Sequence, residues 1–549
     1  MKYRLFALLL ALLCLPEMGF SQSVPDSLGY KVNRLFQDIE NTNGPGCALA
    51  IISKGEVIFN AAYGMANLEQ LTPISSSTVF DIASLSKQFT GYAISTLIEE
   101  GKIAESDDIR NYLPFVPDFG KTITVEHLIH HTSGLRDWPL TLAIAGWRPA
   151  DQISFEDIMR LVEHQKELDF EPGTKYSYSN TGYNLLAAIV EKVSGQAMPD
   201  WLQAHLFTDL NMASAQIPKQ PMTGIKNGAD SYFKSGNELL KVPDLATAYG
   251  SSSMFLSMDD LIRWSKHFNE QIGHKNPVYL RMLEPGRLSN GDTVYYGFGL
   301  GLSKPDEPRR IAHTGGWAGF RSMITHYPDE QLSILVLSNS ANFNTRECSQ
   351  NILDIMQNRV KQIEKIEPDL KNEIEIEVDD AIEAKYLGTY QLGPDWFITI
   401  TTENGQLKSR SNGEIPYAMT AKSDSSYWVE AYSNAIYFVK DSTNGYQLQY
   451  KTFLGKRVPS FHPDAKQLNK YVGEYKSEEL SIDYVLTVSN GKLYIYHLRL
   501  GEIELFPDTI EGQFSSELGI FQFVNNAKNK ITGFKLSGSR VKNIYFKKQ

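Results

Sequence analysis

A motif written twice does most to limit what this chain can fold into. YLGTY (Tyr386 to Tyr390) recurs as YVGEY (Tyr471 to Tyr475). NGQL (Asn404 to Leu407) recurs as NGKL (Asn490 to Leu493), and IYFV (Ile436 to Val439) has a partner in FQFV (Phe521 to Val524). The offset stays near 85 residues. A constant offset means two copies of one unit. Each copy shows short alternating strands separated by Gly, Asn, Asp and Ser, which predicts two small antiparallel β-barrels or sandwiches.

The repeats occupy only the end of a 549-residue chain, which is too long for one core. From 28 to 366 the sequence mixes helix and strand signals. Ala48–Ile52 and Val57–Ala61 are apolar runs split by Lys54-Gly55, which predicts a hairpin. Ser84–Glu100 places Leu85, Phe89, Tyr92, Ala93, Leu97 and Ile98 at helical spacing, with Gly101 as a stop. Ser257 and Asp260 resemble a capping box before a helix carrying Leu261, Trp264 and Phe268. Ser322–Tyr327 and Leu332–Leu337 flank a Pro328-Asp329 turn, followed by a helix with Ile352, Met356, Val360 and Ile363 on one face. Strands at both ends with helices between them predict an α+β class: an antiparallel sheet flanked by helices, with an inserted helical lobe. The expected organisation is a mixed helix-and-strand region at 28–366, an acidic linker at 367–380, and repeats at 381–463 and 464–549.

Lys2 and Arg4 precede an apolar run from Leu5 to Leu15, then Pro16 and a small-x-small pair, Gly19 and Ser21. This predicts a secretory signal peptide over 1–21 and an exported, periplasmic or secreted protein. The run is too short to span a membrane, and no later segment looks membrane-spanning. The net charge of −11 argues against a nucleic-acid partner. Beyond Cys14, Cys47 and Cys348 remain; two buried thiols are the plainer expectation, though export permits a bridge.

Three motifs carry chemistry. Ser84-Leu85-Ser86-Lys87 puts a hydroxyl and an amine one turn apart. A buried lysine of depressed pKa could take the serine's proton at a helix start that favours negative charge. Ser-x-x-Lys also occurs at Ser231/Lys234, Ser489/Lys492 and Ser539/Lys542, but only Ser84 opens a long amphipathic helix. Tyr178-Ser179-Asn180 offers a proton relay and an amide to hold a substrate; Tyr432-Ser433-Asn434 is its decoy. His313-Thr314-Gly315-Gly316 offers an edge strand that a substrate backbone could approach.

With ITVEHLIHHTSGL (123–135), EPGTKYSYSNTGYNLL (171–186) and HTGGWAGFRS (313–322), this ordered set resembles the serine β-lactamase and penicillin-binding-protein superfamily. It looks closest to the branch of class C β-lactamases, D,D-carboxypeptidases, D-aminopeptidases and esterases. The resemblance covers about Gly44 to Asn339. It implies that Ser84 is the acylated nucleophile and that Lys87 and Tyr178 share base and acid work. It implies that Asn180, His313, Thr314 and Gly315 bind substrate, and that the backbone N–H groups of Ser84 and Gly316 form an oxyanion hole. No cofactor is implied. Some relatives carry lipocalin-like C-terminal barrels, which can line the active site or be passive.

The implied activity is hydrolysis of a peptide, amide or ester, with D-amino-acid peptides a candidate class. The alternatives are a class C-like β-lactamase and a slowly deacylating penicillin- or peptide-binding sensor. A histidine at 313, where many β-lactamases carry lysine, tilts the expectation towards peptides and esters. Trp317 could narrow the cleft or pack a hairpin. His127, His130 and His131 lie beside Glu126, but no third ligand matches the i,i+4 histidine pair, so no metal is expected. YGFGLGL (296–302) alternates glycine with bulky residues, as a crowded strand does, and lacks the lysine of a phosphate loop.

Overall fold

A computed structural model describes residues 28–40, 43–219, 224–236, 238–359, 370–371, 373–394, 396–441 and 445–549. The expected signal peptide lies outside the described residues, as do Val360, Ile363 and part of the expected linker.

Six strands form the central sheet: β1 (Cys47–Ser53), β2 (Glu56–Tyr63), β3 (Gly301–Leu302), β4 (Ile311–Trp317), β5 (Phe320–Tyr327) and β6 (Leu332–Ser338). Their order is β3-β4-β5-β6-β1-β2, antiparallel throughout. Both ends of the first region therefore build one sheet, and residues 64–300 are inserted between β2 and β3, as expected. The β1–β2 hairpin turns at Lys54 and Gly55, with φ of 51° and 80°. Positive φ at both central residues is the turn whose twist suits a two-residue hairpin.

Strand periodicity divides the core. Ala48, Ala50 and Ile52 of β1 join Leu335 and Leu337 of β6 against the inserted lobe. The alternate residues Cys47, Leu49 and Ile51 join Ile334 and Val336 on the other face, where Ile352 and Leu353 cover them. A strand buried on both faces reads as a continuous apolar run, and β1 does. Cys47 and Cys348 are both free, buried thiols.

Five helices matter to the site: α1 (Ser86–Glu99), α2 (Trp138–Ile144), α3 (Asn180–Ser194), α4 (Met258–Gly273) and α5 (Thr345–Met356). The expected helix over 84–100 is thus shorter, and Ser84 sits in a 3₁₀ turn, Ala83–Leu85, just ahead of α1. Ala83 is held at φ 49°, an uncommon conformation for a residue with a side chain. Ser257 caps α4 by accepting from Asp260 N–H at 3.2 Å. The Asp260 carboxylate does not complete a capping box; it accepts from Ser214 N–H at 2.7 Å.

Of YGFGLGL, only Gly301–Leu302 is strand, correcting the expected crowded strand. The rest is a loop pressed onto α1. A Cβ on Gly299 would lie 2.3 Å from the Lys87 carbonyl carbon, so glycine is what lets the loop pass there.

The two repeats begin alike. Tyr390 donates to the Tyr386 carbonyl at 2.8 Å, and Tyr475 to that of Tyr471 at 2.7 Å. The intervening glycines, Gly388 and Gly473, share φ values of 135° and 145°. The second repeat closes into an eight-stranded barrel from Gly473 to Lys548. The first is a nine-stranded antiparallel sheet left open between Tyr417–Ala418 and Thr420–Ser423. Those edge strands are consecutive in the chain, so the sheet is nearly closed.

Candidate active site

The first and third motifs meet where β4 crosses the Ala83–Leu85 turn. A Cβ on Gly315 would lie 2.4 Å from the Ile82 carbonyl oxygen and 3.1 Å from the Ala83 Cβ. Only a glycine there lets the strand lie this close to the serine turn. Gly316 follows on the wall of a cavity of about 480 Å³ that also holds Ser84, Tyr178, Asn180, His313 and Thr314. The residues singled out in the sequence, apart from buried Lys87 and Gly315, thus line one cavity.

Lys87 is fully buried. Its Nζ lies 3.1 Å from Ser84 Oγ, 2.7 Å from Asn180 Oδ1 and 2.7 Å from the Ser251 carbonyl oxygen. Burial pushes the amine well below its ordinary pKa; Asp137 opposes this and Arg540 reinforces it. A neutral amine has two N–H donors and one lone pair. Two of its three neighbours, the Asn180 and Ser251 oxygens, can only accept. In the neutral form, which the depressed pKa favours, they take the donors and leave the lone pair facing the Ser84 hydroxyl. This arrangement can deprotonate Ser84. Ser86 takes no part: its hydroxyl donates to the Ala83 carbonyl at 2.6 Å.

Tyr178 stands over the same amine, with Lys87 Nζ 4.9 Å from its ring centroid. Its hydroxyl is buried and, among the described residues, has no partner in hydrogen-bond geometry. Burial raises its pKa well above the ordinary phenol value, and the neighbouring Ser84 hydroxyl opposes that shift. Such a phenol stays protonated and can donate to a leaving group.

Asn180 begins α3, capped by Ser179. Its backbone N–H donates to Asp137 Oδ1 at 2.7 Å and its Nδ2 to the same oxygen at 3.0 Å. Those bonds leave the amide oxygen pointing at Lys87. Asp137 is therefore a positioning residue that local sequence pattern did not reveal.

His313 Nδ1 meets the Thr314 carbonyl at 2.7 Å and Nε2 meets the Tyr296 hydroxyl at 2.9 Å. Burial, with Lys87 adding to it, lowers its pKa to about 3, so the ring is neutral near pH 7. Permanent positive charge comes instead from Arg346, which donates to Thr314 Oγ1 at 3.2 Å. Trp317 both lines the cleft and packs: its ring lies 5.4 Å from that of Trp138, and its Nε1 donates to Asp244 at 2.9 Å.

The histidine cluster has other employment. His127 Nδ1 accepts from Thr124 N–H at 3.1 Å, and His130 meets the Tyr296 carbonyl at 2.7 Å. His131 accepts from Ser179 N–H at 3.1 Å, and its ring lies tilted at 35° to that of Tyr178, 4.2 Å between centroids.

The largest surprise comes from the far end of the chain. Arg540, in the second repeat, lines the same cavity. Its guanidinium lies 4.9 Å from the Tyr178 ring centroid and donates to Asp137 Oδ2 at 3.3 Å. The barrel is anchored around it. Arg136 pairs with Asp169 and with Glu479 of the barrel, each at 2.6 Å. Tyr484 donates to the Ile144 carbonyl at 2.6 Å, and Arg499 pairs with Asp151 at 2.6 Å.

A family model described as Beta-lactamase matches residues 32–357. The chain is 28% identical over 403 residues to penicillin-binding protein 4* of Bacillus subtilis, spanning 70% of this chain and 88% of that protein. It is 26% identical over 474 residues to D-aminopeptidase of Brucella ovis, spanning 85% and 86%. Among solved structures, the octameric penicillin-binding protein homologue from Pyrococcus abyssi aligns with a TM-score of 0.54 at 22% identity, covering 78% of this chain and 100% of that one. D-amino acid amidase from Ochrobactrum anthropi SV3 aligns at 0.51 and 20% identity, covering 60% and 99%. At these identities the two structures speak for the fold.

Proposed function

The chain belongs to the beta-lactamase family, and from that premise we propose that it is an exported serine hydrolase that cleaves a peptide, amide or ester through an acyl-enzyme on Ser84. One observation carries this reading: a buried lysine, its pKa depressed, 3.1 Å from the serine and already flanked by two acceptors, the Asn180 and Ser251 oxygens. Lys87 takes the proton as Ser84 Oγ attacks the carbonyl carbon. The N–H groups of Ser84 and Gly316 hold the oxyanion. Tyr178 protonates the leaving group as the scissile bond breaks and regains its proton from the Lys87 ammonium; water then attacks the acyl ester, losing a proton to Lys87 as Ser84 Oγ leaves and is reprotonated. Asn180, with Thr314 and Gly315 on the facing strand, orients the substrate. D-amino-acid peptides and amides are the favoured class, because relatives named D-aminopeptidase and D-amino acid amidase share this fold.

β-Lactam hydrolysis is the second reading. Neutral His313 weakens it, but Arg346 on Thr314 supplies a fixed cation that could hold a lactam carboxylate. Among the described residues no helix is long and apolar enough to cross a membrane; export rests on the N-terminal sequence.

The test is to incubate the protein with a penicillin and with D-peptide and ester substrates, following turnover and intact mass together. Wild type should gain acyl mass and turn over a D-peptide or ester. Ser84→Ala should gain none, with kcat lower by on the order of a millionfold. Turnover of the lactam alone would favour the second reading, and stable acylation without turnover would indicate a sensor. Equal activity of both proteins on every substrate would sink all three.

A further inference from the structure

The cavity around Ser84 is lined by Arg310, Arg346 and Arg540, and among the described residues no carboxylate lines it. Asp137, behind the wall, is 3% exposed, and its oxygens already accept from Asn180 and Arg540. A substrate therefore meets positive charge without an acidic partner for an ammonium group.

Arg540 differs from the other two arginines in where it comes from. It sits on residues 538–543, between the last two strands of the second repeat. That segment is clamped on both sides. Gly538 N–H donates to the Val541 carbonyl and Lys542 N–H to Asp169 Oδ1, each at 2.8 Å. The Arg540 carbonyl accepts from Asp137 N–H at 3.4 Å, and a Cβ on Gly538 would lie 2.3 Å from Leu140 Cδ2. The backbone is thus fixed to the catalytic region while the side chain, which lines the cavity, stays 46% exposed. A guanidinium carries five N–H donors. Among the described residues its side-chain hydrogen bond is the one to Asp137, at a long 3.3 Å. The guanidinium lines the cavity, 4.9 Å from the Tyr178 ring centroid.

We propose that Arg540 is a specificity-determining residue lent to the active site by the second repeat, and that it selects substrates carrying a carboxylate over neutral or ammonium-bearing ones. This rests on the serine-hydrolase reading and names its substrate class. A carboxylate beside Tyr178 would gain charge-assisted bonds from a donor already held in place. An ammonium there would face like charge. The relationship to a D-aminopeptidase thus does not extend to a free amino group at this position.

The test uses the full chain and matched thioesters that differ in one charge. At the acyl end, N-succinyl-D-alanyl, N-acetyl-D-alanyl and N-glycyl-D-alanyl esters are compared. At the leaving end, a free carboxylate is compared with its amide. Wild type should prefer the anionic member at one end by about tenfold in kcat/KM, carried by KM. The preference should shrink with added salt. Arg540→Ala should abolish it, Arg540→Lys should keep part, and Arg540→Glu should turn it towards the glycyl ester. The ratio between paired substrates is insensitive to a general loss of active enzyme. Tyr484→Phe, which loosens the dock away from the cavity, should leave that ratio unchanged. A wild-type preference that survives in Arg540→Ala, or no charge preference at either end, would overturn the proposal while leaving Ser84 acylation intact. Loss of all acyl transfer from wild type would instead overturn the reading beneath it.

Discussion

In the first repeat, only Lys451 and Thr452 separate the strands Tyr446–Tyr450 and Phe453–Val458. In the second, residues 538–543 separate Ile531–Ser537 from Ile544–Lys548. The same contrast recurs at the first hairpin. Gly388–Gly393 and Trp396–Glu403 are nearly contiguous, whereas residues 478–481, including Glu479, separate Gly473–Ser477 from Ile482–Ser489. The lengthened turns of the second repeat carry two of its ion pairs to the catalytic region, Glu479 to Arg136 and Arg540 to Asp137, beside the contacts of Tyr484 and Arg499. The first repeat engages its twin instead, through Arg410 and Asp508 at 3.1 Å. The shared strands are scaffold, and what each copy does is decided by its turns.

The largest effect that would sharpen this contrast is expected at the dock. Arg136 is buried between two carboxylates, Asp169 and Glu479, and also donates to the Lys542 carbonyl. Arg136→Ala would leave two buried carboxylates without their cation, Asp169 keeping only the Lys542 N–H, at a cost of about 3–5 kcal/mol. Arg410→Ala should cost less, because Asp508 keeps the hydrogen bond from Ser515. Chemical denaturation of the two variants, with the Ser84 reaction measured beside it, gives the ranking. If Arg410→Ala proves the more damaging and also silences Ser84, the functional asymmetry between the repeats is wrong.

A smaller effect should appear with pH. Burial raises the Asp169 pKa to about 6; Arg136 opposes the shift and Glu479 adds to it. A folded-state pKa above the unfolded value means that the contribution is fully present below about pH 4. It is lost as pH rises through about 6. Asp169→Asn mimics the protonated carboxyl and should remove this dependence. Relative to the variant, wild type should lose on the order of 2 kcal/mol between pH 4 and pH 7. A constant difference across that range would mean the dock does not sense the proton.

The sequence was informative where chemistry is local. The Lys54-Gly55 hairpin, the Ser84–Lys87 turn and the tyrosine corners of the repeats each need residues only a few positions apart. The His313–Gly316 strand was legible because its motif keeps fixed order with the other two. Asp137 and Ser251 were not. Asp137 acts on Asn180 across 43 positions, and Ser251 contributes a backbone carbonyl, which any residue type could supply. Arg540 meets Asp137 across 403 positions, a separation that leaves no periodic signal. Its segment did stand out, but as the decoy pair Ser539 and Lys542, for a chemistry it does not perform. The open edge of the first repeat also escaped, since one sheet and one barrel share the same strand pattern.

The finest comparison is between the two tyrosine corners. Tyr390 and Tyr475 each bond the carbonyl four residues back, and each lies beneath a cation 5.4 Å away, Arg457 or Lys548. Arg457 also donates to the Tyr390 hydroxyl at 3.0 Å. Tyr475→Phe should therefore cost about 1 kcal/mol, the worth of one buried hydrogen bond. Tyr390→Phe should cost somewhat more, because it also strips an acceptor from Arg457. Denaturation midpoints of the two variants, measured at constant pH, decide the order. Equal costs would show that the corner alone carries the stability and the Arg457 bond is incidental. A larger cost at Tyr475 would place the critical corner in the docked barrel, making docking and barrel closure one cooperative event.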